Sequence, residues 1–304
     1  MRCQVTSPYG ITSALAYQYK RYRESLYRLN VSRRFGSWAL PEWWYLRYLN
    51  HRFRDRIKSR DVGPVAPPEL IKTEALMHAN QLDDAAKPES YFGSGRRVAW
   101  TILSMLQECG ADVTAMRSVL EFGCGSARVL RHFRHIESLL LAGTDANPMP
   151  IEWDRKNLPR IEFSNNGLQP PLQYKDGSFD LIYAISVFTH IPLEWQGAWL
   201  DELCRVLRPG GYLLCTVHGE CFFDLMLSDE DRLKLQREGN VTLDAKNPRA
   251  SYSSRVLGSW DVFQTREEIL KGFGRNFKLL CYGREAVGGK GGQDALALRK
   301  PVRP

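Results

Sequence analysis

From residue 96 onward, short apolar segments alternate with segments of helical periodicity. The run FDLIYAIS, at 179–186, is apolar almost throughout, as expected of a strand that is covered on both faces. A strand followed by a helix and then by another strand forms a parallel unit, so this alternation predicts a doubly wound, mostly parallel α/β sheet. The seven predicted strands span residues 118–122, 138–145, 160–164, 179–186, 211–218, 277–283 and 294–300.

Helical periodicity predicts helices between these strands, in residues 96–110, 127–136, 148–157 and 192–207. A further helix is expected to begin at Thr265, because Glu268 follows it at the spacing of a capping box. Residues 219–258 break the alternation and are interpreted as a substrate-recognition insertion after the fifth strand. Within the insertion, LSDEDRLKLQREG predicts a short exposed helix.

Positive charge is concentrated at the N-terminus. Residues 1–60 hold 13 Lys and Arg against 3 Asp and Glu, in a chain whose formal net charge is +8. The proline-rich segment DVGPVAPP follows and reads as a linker. Residues 1–68 are therefore predicted to form a basic, aromatic, helical N-terminal extension, and residues 69–304 the α/β domain. Because the domain itself has no excess of positive charge, a basic nucleic-acid-binding fold is not indicated.

Three roles for the extension stay open. As a helical lid, it would pack its aromatic side chains on the domain. As a peripheral membrane contact, it would place Trp38, Trp43 and Trp44 among anionic headgroups. As an RNA contact, it would combine phosphate binding with base stacking.

Membrane-spanning, secreted and metal-dependent classes are disfavoured. No apolar run approaches the ~20 residues needed to cross a bilayer, and the N-terminus lacks the apolar centre of a secretion signal. The seven cysteines include no C-x-x-C pair, and the six histidines form no recognisable ligand motif. We therefore expect a cytoplasmic protein that has no disulfide framework and no metal.

The segment VLEFGCGSARVL joins the first predicted strand to the next helix through two glycines. Gly123 and Gly125 permit a tight turn and a close approach of the backbone to a ligand, so neither is expected to tolerate a side chain. In an open parallel sheet, ligands bind in this crevice at the carboxyl ends of the strands. A dinucleotide site would require a third glycine where Arg128 stands, which disfavours a nicotinamide cofactor.

This turn resembles the first motif of the class I S-adenosylmethionine-dependent methyltransferases, E/D-x-G-x-G-x-G. Glu121, Gly123 and Gly125 match the motif, whereas Ala127 replaces its third glycine. The resemblance implies a Rossmann-like methyltransferase fold and S-adenosylmethionine as cofactor. Asp145 ends the next strand, 20 residues after Gly125, where a carboxylate can accept both ribose hydroxyls. The alternative for Asp145 is a helix cap.

Further segments extend the resemblance over residues 89–304. NGLQPPLQYKDGSFDLIYAISVFTHIP is similar to the third and fourth motifs, DELCRVLRPGGYLLCTVHGE to the stretch that follows them, and QDALALRKP to the antiparallel last strand. In such enzymes an aromatic residue or an arginine before the first helix often contacts the methionine end of the cofactor; here a hydrophobic latch is the alternative. The residues expected to bind the cofactor are Tyr91, Arg96, Glu121, Phe122, Gly123, Cys124, Gly125, Asp145, Ala146, Asn166, Gly167 and Ser186.

Two histidines follow strands that end at the predicted cleft. His190 comes after the fourth strand and His218 after the fifth, so both are expected to face the cofactor. A hydroxyl acceptor must lose its proton during methyl transfer, and histidine is the side chain best suited to take it near neutral pH. His190 is the predicted general base and His218 its substitute. The alternative for each is a structural hydrogen bond to a loop.

The resemblance is nearest to bacterial methyltransferases that act on small molecules, sugars and glycolipids, so O-methylation of such an acceptor is the predicted function. Methylation of RNA or protein with the help of the basic extension is one alternative. A catalytically silent, cofactor-binding partner subunit is another. The segment AISVFTH lacks the Asn/Asp-Pro-Pro-aromatic signature of many nucleic-acid N-methyltransferases, which disfavours nucleic-acid bases as acceptors.

Overall fold

The computed structural model describes residues 64–67, 70–71, 88–134, 136–251, 254, 258–287 and 292–302, with the backbone alone for 88–90. The predicted helices of the N-terminal extension lie outside these residues, together with half of the predicted linker. The role of the extension and the domain boundary after residue 68 stay predictions.

Nine strands occur in the described part of the chain: β1 (Ser118–Phe122), β2 (Leu140–Asp145), β3 (Glu162–Asn165), β4 (Phe179–Ala184), β5 (Leu207–Val217), β6 (Asn240–Asp244), β7 (Trp260–Gln264), β8 (Lys278–Val287) and β9 (Gln293–Arg299). Seven of them form one sheet in the order β3-β2-β1-β4-β5-β9-β8. Strands β1 to β5 pair in parallel, and β9 runs antiparallel to both β5 and β8. The predicted Rossmann-like, mostly parallel α/β sheet is confirmed.

The helices of the described residues are α1 (Pro88–Glu108), α2 (Pro148–Asn157), α3 (Leu193–Val206), α4 (Glu220–Met226), α5 (Asp229–Glu238) and α6 (Arg266–Phe273). Local signals set where several of them begin. Asn147 caps α2 through its side chain, and Ser228 forms a capping box with Asp231 at the start of α5. The hydroxyl of Thr265 accepts from the backbone N–H of Glu268 at the start of α6, as the sequence predicts.

Apolar layers cover both faces of the main sheet. Successive residues of a strand point to opposite faces, so Val119 joins one core cluster with Ile102 of α1. Leu120 joins the other cluster with Trp199 of α3. All five residues of β1 are buried, including the polar ones. Because β1 to β5 run parallel, their carboxyl ends lie along one edge of the sheet, where the connecting loops meet.

The insertion adds a small second sheet, in which β6 and β7 pair antiparallel. Leu235, Val241 and Phe263 belong to its own apolar cluster. The small sheet joins the main one through a bridge between His218 and Phe263 and a hydrogen bond from Val262 N to Thr189 O (2.8 Å). Sequence reasoning missed β7, because WDVFQ is short and stands beside an irregular stretch. The structural insertion therefore extends past residue 258.

The predicted helix at 127–136 is wrong. After the glycine turn the backbone of Ala127 has a φ of 53°, which is incompatible with a right-handed helix. Only a 3-10 turn follows, at Leu130–Phe133. The carboxylate of Glu121 accepts a hydrogen bond from Leu130 N (3.0 Å), and the side chain of Arg131 binds the carbonyl oxygens of Ser126 and Ala127. These tertiary and side-chain contacts override the helical periodicity of the segment.

The boundary between α3 and β5 is also displaced. Strand β5 begins at Leu207, directly after α3, whereas the sequence pattern places a turn at RPGG and starts the strand at residue 211. Leu207 pairs with Phe179, and an irregularity in the register follows before Tyr212 pairs with Leu181. The glycines are thus accommodated within an irregular strand.

Candidate functional site

The glycine turn after β1 lies against the end of β2. The backbone N–H groups of Gly123 and Cys124 both donate to the carbonyl oxygen of Thr144, at 2.8 and 3.0 Å. Gly123 and Gly125 have φ values of 75° and 49°, a region that favours glycine. The turn therefore depends on these two glycines for its backbone conformation.

The same turn lies against the loop that follows β4. A Cβ atom on Gly123 would stand 2.3 Å from Cγ2 of Val187, which no packed structure allows. Strands β1 and β4 are parallel neighbours, with Glu121 opposite Tyr183. The glycine turn and the 186–191 loop consequently form adjacent walls at the carboxyl edge of the sheet.

Asp145 stands at the end of β2 with both carboxylate oxygens directed at backbone donors. Oδ2 accepts from Gly125 N and Oδ1 from Asn147 N, each at 2.8 Å. Burial raises the pKa of Asp145 above its ordinary value, against the opposing effect of these hydrogen bonds. The side chain that caps α2 is that of Asn147, so the helix-cap alternative for Asp145 is wrong. A third backbone N–H, that of Ala146, also bonds to this carboxylate.

Two of the expected cofactor residues lie beneath the turn. Glu121 is buried, and its Oε2 holds the backbone N–H of Leu130. Phe122 is buried as well, with its ring 4.6 Å from that of Trp199. Their side chains support the turn from below. Cys124 is also buried, and Gly143 approaches it so closely that a Cβ there would be 3.0 Å from its Sγ.

Tyr91 anchors helix α1 to the residues behind the glycine turn. Its hydroxyl donates to the carbonyl oxygen of Ser126 (3.0 Å) and lies 2.6 Å from Oγ of the same residue. The guanidinium of Arg131 stacks 5.0 Å from the Tyr91 ring and donates to Ser126, Ala127 and Pro64 carbonyls. This geometry corresponds to the latch alternative for Tyr91. Arg96 lies half-buried on the same helix.

The residues that follow β2 and β3 form a third wall of the site. Asn166 donates its backbone N–H to Asp145 O (3.0 Å) and accepts the hydroxyl of Thr144 on its Oδ1 (2.8 Å). Ala146 and Gly167 are exposed beside them. Two exposed apolar side chains, Met149 and Leu168, follow the two strands.

Ser186 connects the loop after β4 with the last strand. Its φ is 62°, a conformation that non-glycine residues adopt rarely and often at functional sites. Its N–H donates to Oγ1 of Thr216 (2.7 Å), and its Oγ accepts from Nε2 of Gln293 (2.9 Å). Thr216 in turn donates to Oε1 of Gln293 (2.7 Å). Gln293 completes this network, and no sequence signal marks it because it arrives from the far end of the chain.

His190 is held from one side of its ring. Nδ1 lies 2.8 Å from the carbonyl oxygen of Trp260, 3.1 Å from Oγ of Ser254 and 3.4 Å from Oδ1 of Asp261. A carbonyl oxygen can only accept, so Nδ1 carries the proton in the neutral ring and Nε2 carries the lone pair. The side chain is 22% exposed, whereas Asp261 is fully buried. His190 therefore combines an oriented ring with access to solvent.

His218 is buried, whereas the sequence predicts that it faces the cofactor. The residue is 2% exposed, and its ring stacks on Phe263 at 4.7 Å. Nδ1 lies 3.0 Å from the carbonyl oxygen of Val262. Burial, reinforced by the nearby His190, lowers the pKa of His218 to about 4. The ring centroids of the two histidines are 6.4 Å apart. His218 thus belongs to the junction between the two sheets rather than to an open cleft.

The described residues leave two further classes of site without support. Within them, no three His, Cys, Asp or Glu side chains gather as ligands for a metal ion. No helix in this part of the chain has the length and apolar character needed to cross a membrane.

The carboxyl edge of the sheet thus brings together a glycine turn, a carboxylate that accepts from backbone donors and an oriented histidine. Residues 120–215, which contain all three, match the family described as "Methyltransferase domain". This segment covers β1 to β5, including the turn, Asp145 and the loop that carries His190.

Three curated relatives show the breadth of the similarity. The chain is 24% identical to the "tRNA N(3)-methylcytidine methyltransferase trm140" of Schizosaccharomyces pombe over 75% of this chain and 72% of the relative. It is 32% identical to "Phthiotriol/phenolphthiotriol dimycocerosates methyltransferase 1" of Mycobacterium ulcerans over 46% and 54%, respectively. It is 35% identical to the "Fatty-acid O-methyltransferase" of Mycolicibacterium smegmatis over 35% and 38%.

The chain spans about half or less of the length of the last two relatives. Their acceptors differ in kind, while methyl transfer is common to all three names. Together with the sheet order and the glycine turn, these similarities assign residues 120–215 to a methyltransferase domain. The chain carries a class I S-adenosylmethionine-dependent methyltransferase domain, and S-adenosylmethionine is its cofactor.

Proposed function

We propose that this chain transfers the methyl group of S-adenosylmethionine to a hydroxyl oxygen of a small molecule, sugar or glycolipid, with His190 as general base. The observation that carries the proposal is the pinning of His190 through Nδ1. A base whose second nitrogen is held by a carbonyl and a carboxylate has a defined orientation and tautomer. Such an arrangement is superfluous for an acceptor that is already a strong nucleophile.

The residues at the sheet edge fit the cofactor. Gly123 leaves no room for a Cβ between the turn and Val187, and Gly125 presents its backbone next to Asp145. The carboxylate of Asp145 suits the two ribose hydroxyls. Ala146, Asn166 and Gly167 would flank the adenine, with the exposed apolar side chains of the third wall, Met149 and Leu168, packing on its faces.

The other expected residues take supporting roles in this proposal. The buried carboxylate of Glu121 and the ring of Phe122 hold the turn from below. Tyr91 holds it from the side of α1. Ser186 and Cys124 belong to the backbone walls of the cofactor cleft. Arg96, half-buried on α1, stays a candidate for the methionine carboxylate.

The chemistry of the transfer is simple in outline. The bound cofactor supplies a methyl group on a sulfonium, so the acceptor O–C bond forms as the C–S bond breaks and a thioether leaves. His190 Nε2 accepts the proton of the acceptor hydroxyl. The buried carboxylate of Asp261, 3.4 Å from Nδ1, stabilises the imidazolium that results. The 186–191 loop orients the acceptor beside the glycine turn and excludes water. Holding the acceptor hydroxyl next to the methyl group lowers the activation barrier through proximity.

A direct test is a radiolabelled transfer assay. The purified chain is incubated with methyl-labelled S-adenosylmethionine and with lipid, polar-metabolite and RNA fractions of a lysate. The proposal expects alkali-stable label, as in a methyl ether, in the lipid or polar-metabolite fraction. Label confined to RNA would contradict it. Binding of S-adenosylhomocysteine without transfer to any fraction would indicate a silent partner subunit.

RNA is the second candidate acceptor. The similarity to the tRNA N(3)-methylcytidine methyltransferase extends over 75% of this chain, further than that to the lipid-directed relatives. The sequence also concentrates positive charge in residues 1–60. Removal of residues 1–68 should abolish labelling of RNA if this candidate is correct, and should leave labelling of a small acceptor in place if it is not.

A further inference from the structure

A small cavity opens at the carboxyl end of β5, where β9 begins. Its volume is about 30 Å³, which is room for roughly two water molecules. It lies on the same edge of the main sheet as the glycine turn, because Val217 at the end of β5 pairs with Asp294 at the start of β9. Its lining includes His218, Gly219, Gln264, Arg266, Tyr282 and Asp294.

Gln264 contributes a polar side chain to this lining. It is the last residue of β7 and is 5% exposed. Among the residues that the structure describes, its side-chain amide makes no hydrogen bond. A buried amide without a partner is costly unless a ligand or water supplies one. The cavity is the space from which a partner can come.

Arg266 brings a positive charge to the rim. Its guanidinium lies 4.9 Å from the centre of the Tyr282 ring, and no carboxylate in the described part of the chain pairs with it. The other arginine of the cavity, Arg284, pairs with Glu220. Arg266 is also the first residue of α6, where the helix dipole disfavours a cation. Arg266 is exposed at this rim, so its guanidinium is accessible to a ligand.

Two acidic side chains, Glu220 and Asp294, line the cavity, and both have partners within the fold. Asp294 accepts the Tyr282 hydroxyl on Oδ2 (2.7 Å) and the backbone N–H of Glu285 on Oδ1 (2.8 Å). Burial raises its pKa above the ordinary value. A Cβ on Gly219 would stand 2.3 Å from Oδ1, so β5 ends directly against this carboxylate. Asp294 consequently uses its oxygens inside the wall and leaves Arg266 without an anionic partner.

We infer that this cavity holds a carboxylate group of the methyl acceptor, with Arg266 and Gln264 as its hydrogen-bond donors. A planar guanidinium fork matches a planar carboxylate, and the small volume excludes a nucleobase. The part of this inference that concerns the acceptor hydroxyl rests on the proposed function. His218 lines the cavity, and its ring centroid lies 6.4 Å from that of His190. The proposed function places the hydroxyl of the same molecule at His190. The acceptor class is therefore a hydroxy acid.

Binding can be tested without turnover. The side-chain amide of Gln264 is followed by ¹⁵N–¹H NMR, with its resonance identified by its loss in Gln264→Leu, while hexanoate, hexanol or hexyl phosphate is added. Hexanoate should shift this resonance saturably, and hexanol should not at equal concentration. Arg266→Gln should weaken hexanoate binding at least tenfold. Arg284→Gln, the matched control, should weaken it less than threefold.

Three outcomes would overturn the inference. They are equal binding of hexanol, tighter binding of hexyl phosphate, and hexanoate affinity in Arg266→Gln within threefold of the parent. Calorimetry with S-adenosylhomocysteine on the same samples separates this inference from the proposed function. Loss of cofactor binding in the parent would count against the proposed function, whereas the response to hexanoate decides the carboxylate site by itself.

Discussion

Nδ1 of His190 lies 3.4 Å from Oδ1 of Asp261, and the two residues come from different sheets. The carboxylate of Asp261 also accepts from the hydroxyls of Ser251 and Ser254, each at 3.0 Å. The main sheet supplies the histidine, and the small sheet of the insertion supplies the groups that orient it. The insertion thereby joins the proposed catalytic machinery, in addition to covering the sheet edge.

Replacement of His190 by alanine should lower kcat by about 10²–10⁴-fold, because general-base catalysis contributes an effect of this size. His218→Ala is the comparison, since His218 is buried and lies at the sheet junction. Both are measured at saturating cofactor with an acceptor from the labelled-transfer screen. A His190→Ala enzyme within threefold of the parent would remove His190 from the mechanism.

Asp145→Ala should weaken binding of S-adenosylmethionine ten- to a hundredfold while the fold is retained. Loss of the proposed charge-assisted pair with the ribose corresponds to about 1.5–3 kcal/mol. Calorimetry gives the affinity, and circular dichroism checks the fold. Asp176→Ala is the matched control, because Asp176 is exposed and pairs with Arg205 away from the turn. Unchanged affinity in a folded Asp145→Ala protein would assign Asp145 a structural role only.

Gly123→Ala should weaken cofactor binding at least tenfold. The new methyl group would meet Val187 at 2.3 Å and would also require a φ of 75°. Gly110→Ala separates the two effects, since Gly110 has a φ of 81° with open space around its Cβ position. That control should lose about 1 kcal/mol of stability and keep its cofactor affinity. Tight binding in Gly123→Ala would show that the turn can shift without consequence.

Stability should fall on acidification because of His218. Its pKa is lowered from 6.5 to about 4 in the folded state, so the unfolded chain takes up a proton that the folded chain refuses. The stabilisation is complete above pH 6.5 and is lost as the pH falls towards 4. A shift of this size corresponds to about 3 kcal/mol.

The measurement is urea unfolding of the parent and of His218→Gln at pH 7.5 and pH 4.5. The loss of unfolding free energy between these two values should be smaller in the variant by about 2–3 kcal/mol. Titrating groups that do not interact with His218 contribute equally to both proteins and cancel in the comparison. An equal loss in parent and variant would contradict the placement of His218 in the buried junction.

Replacement of residues 219–258 by a short loop should preserve cofactor binding and abolish methyl transfer. The glycine turn and Asp145 make their contacts within the main sheet. His190, in contrast, would lose its contact with Ser254, and β7 would lose its partner strand β6. Calorimetry with S-adenosylhomocysteine and the labelled-transfer assay provide the two readouts. Loss of both activities would instead make the insertion part of the folding unit.

Much of the fold follows from local pattern. The apolar run of β4 and the glycine turn after β1 are signals carried by neighbouring residues, so periodicity and turn chemistry identify them. Asp145 is located in the same way, as the acidic end of a strand that follows the turn by 20 residues. The adjacency of the turn and the 186–191 loop follows from the sheet order, and the contact between Gly123 and Val187 agrees with it.

The sequence by itself thus determined the sheet, the glycine turn and the position of Asp145. Only the tertiary structure decided that His190 meets Asp261, that His218 is buried, and that the segment after Gly125 is not a helix. These features depend on contacts between residues that are distant along the chain. Periodicity reports which face of an element is apolar, but the partner of a polar group is chosen by how the elements pack, because a buried donor or acceptor takes the nearest available group in space.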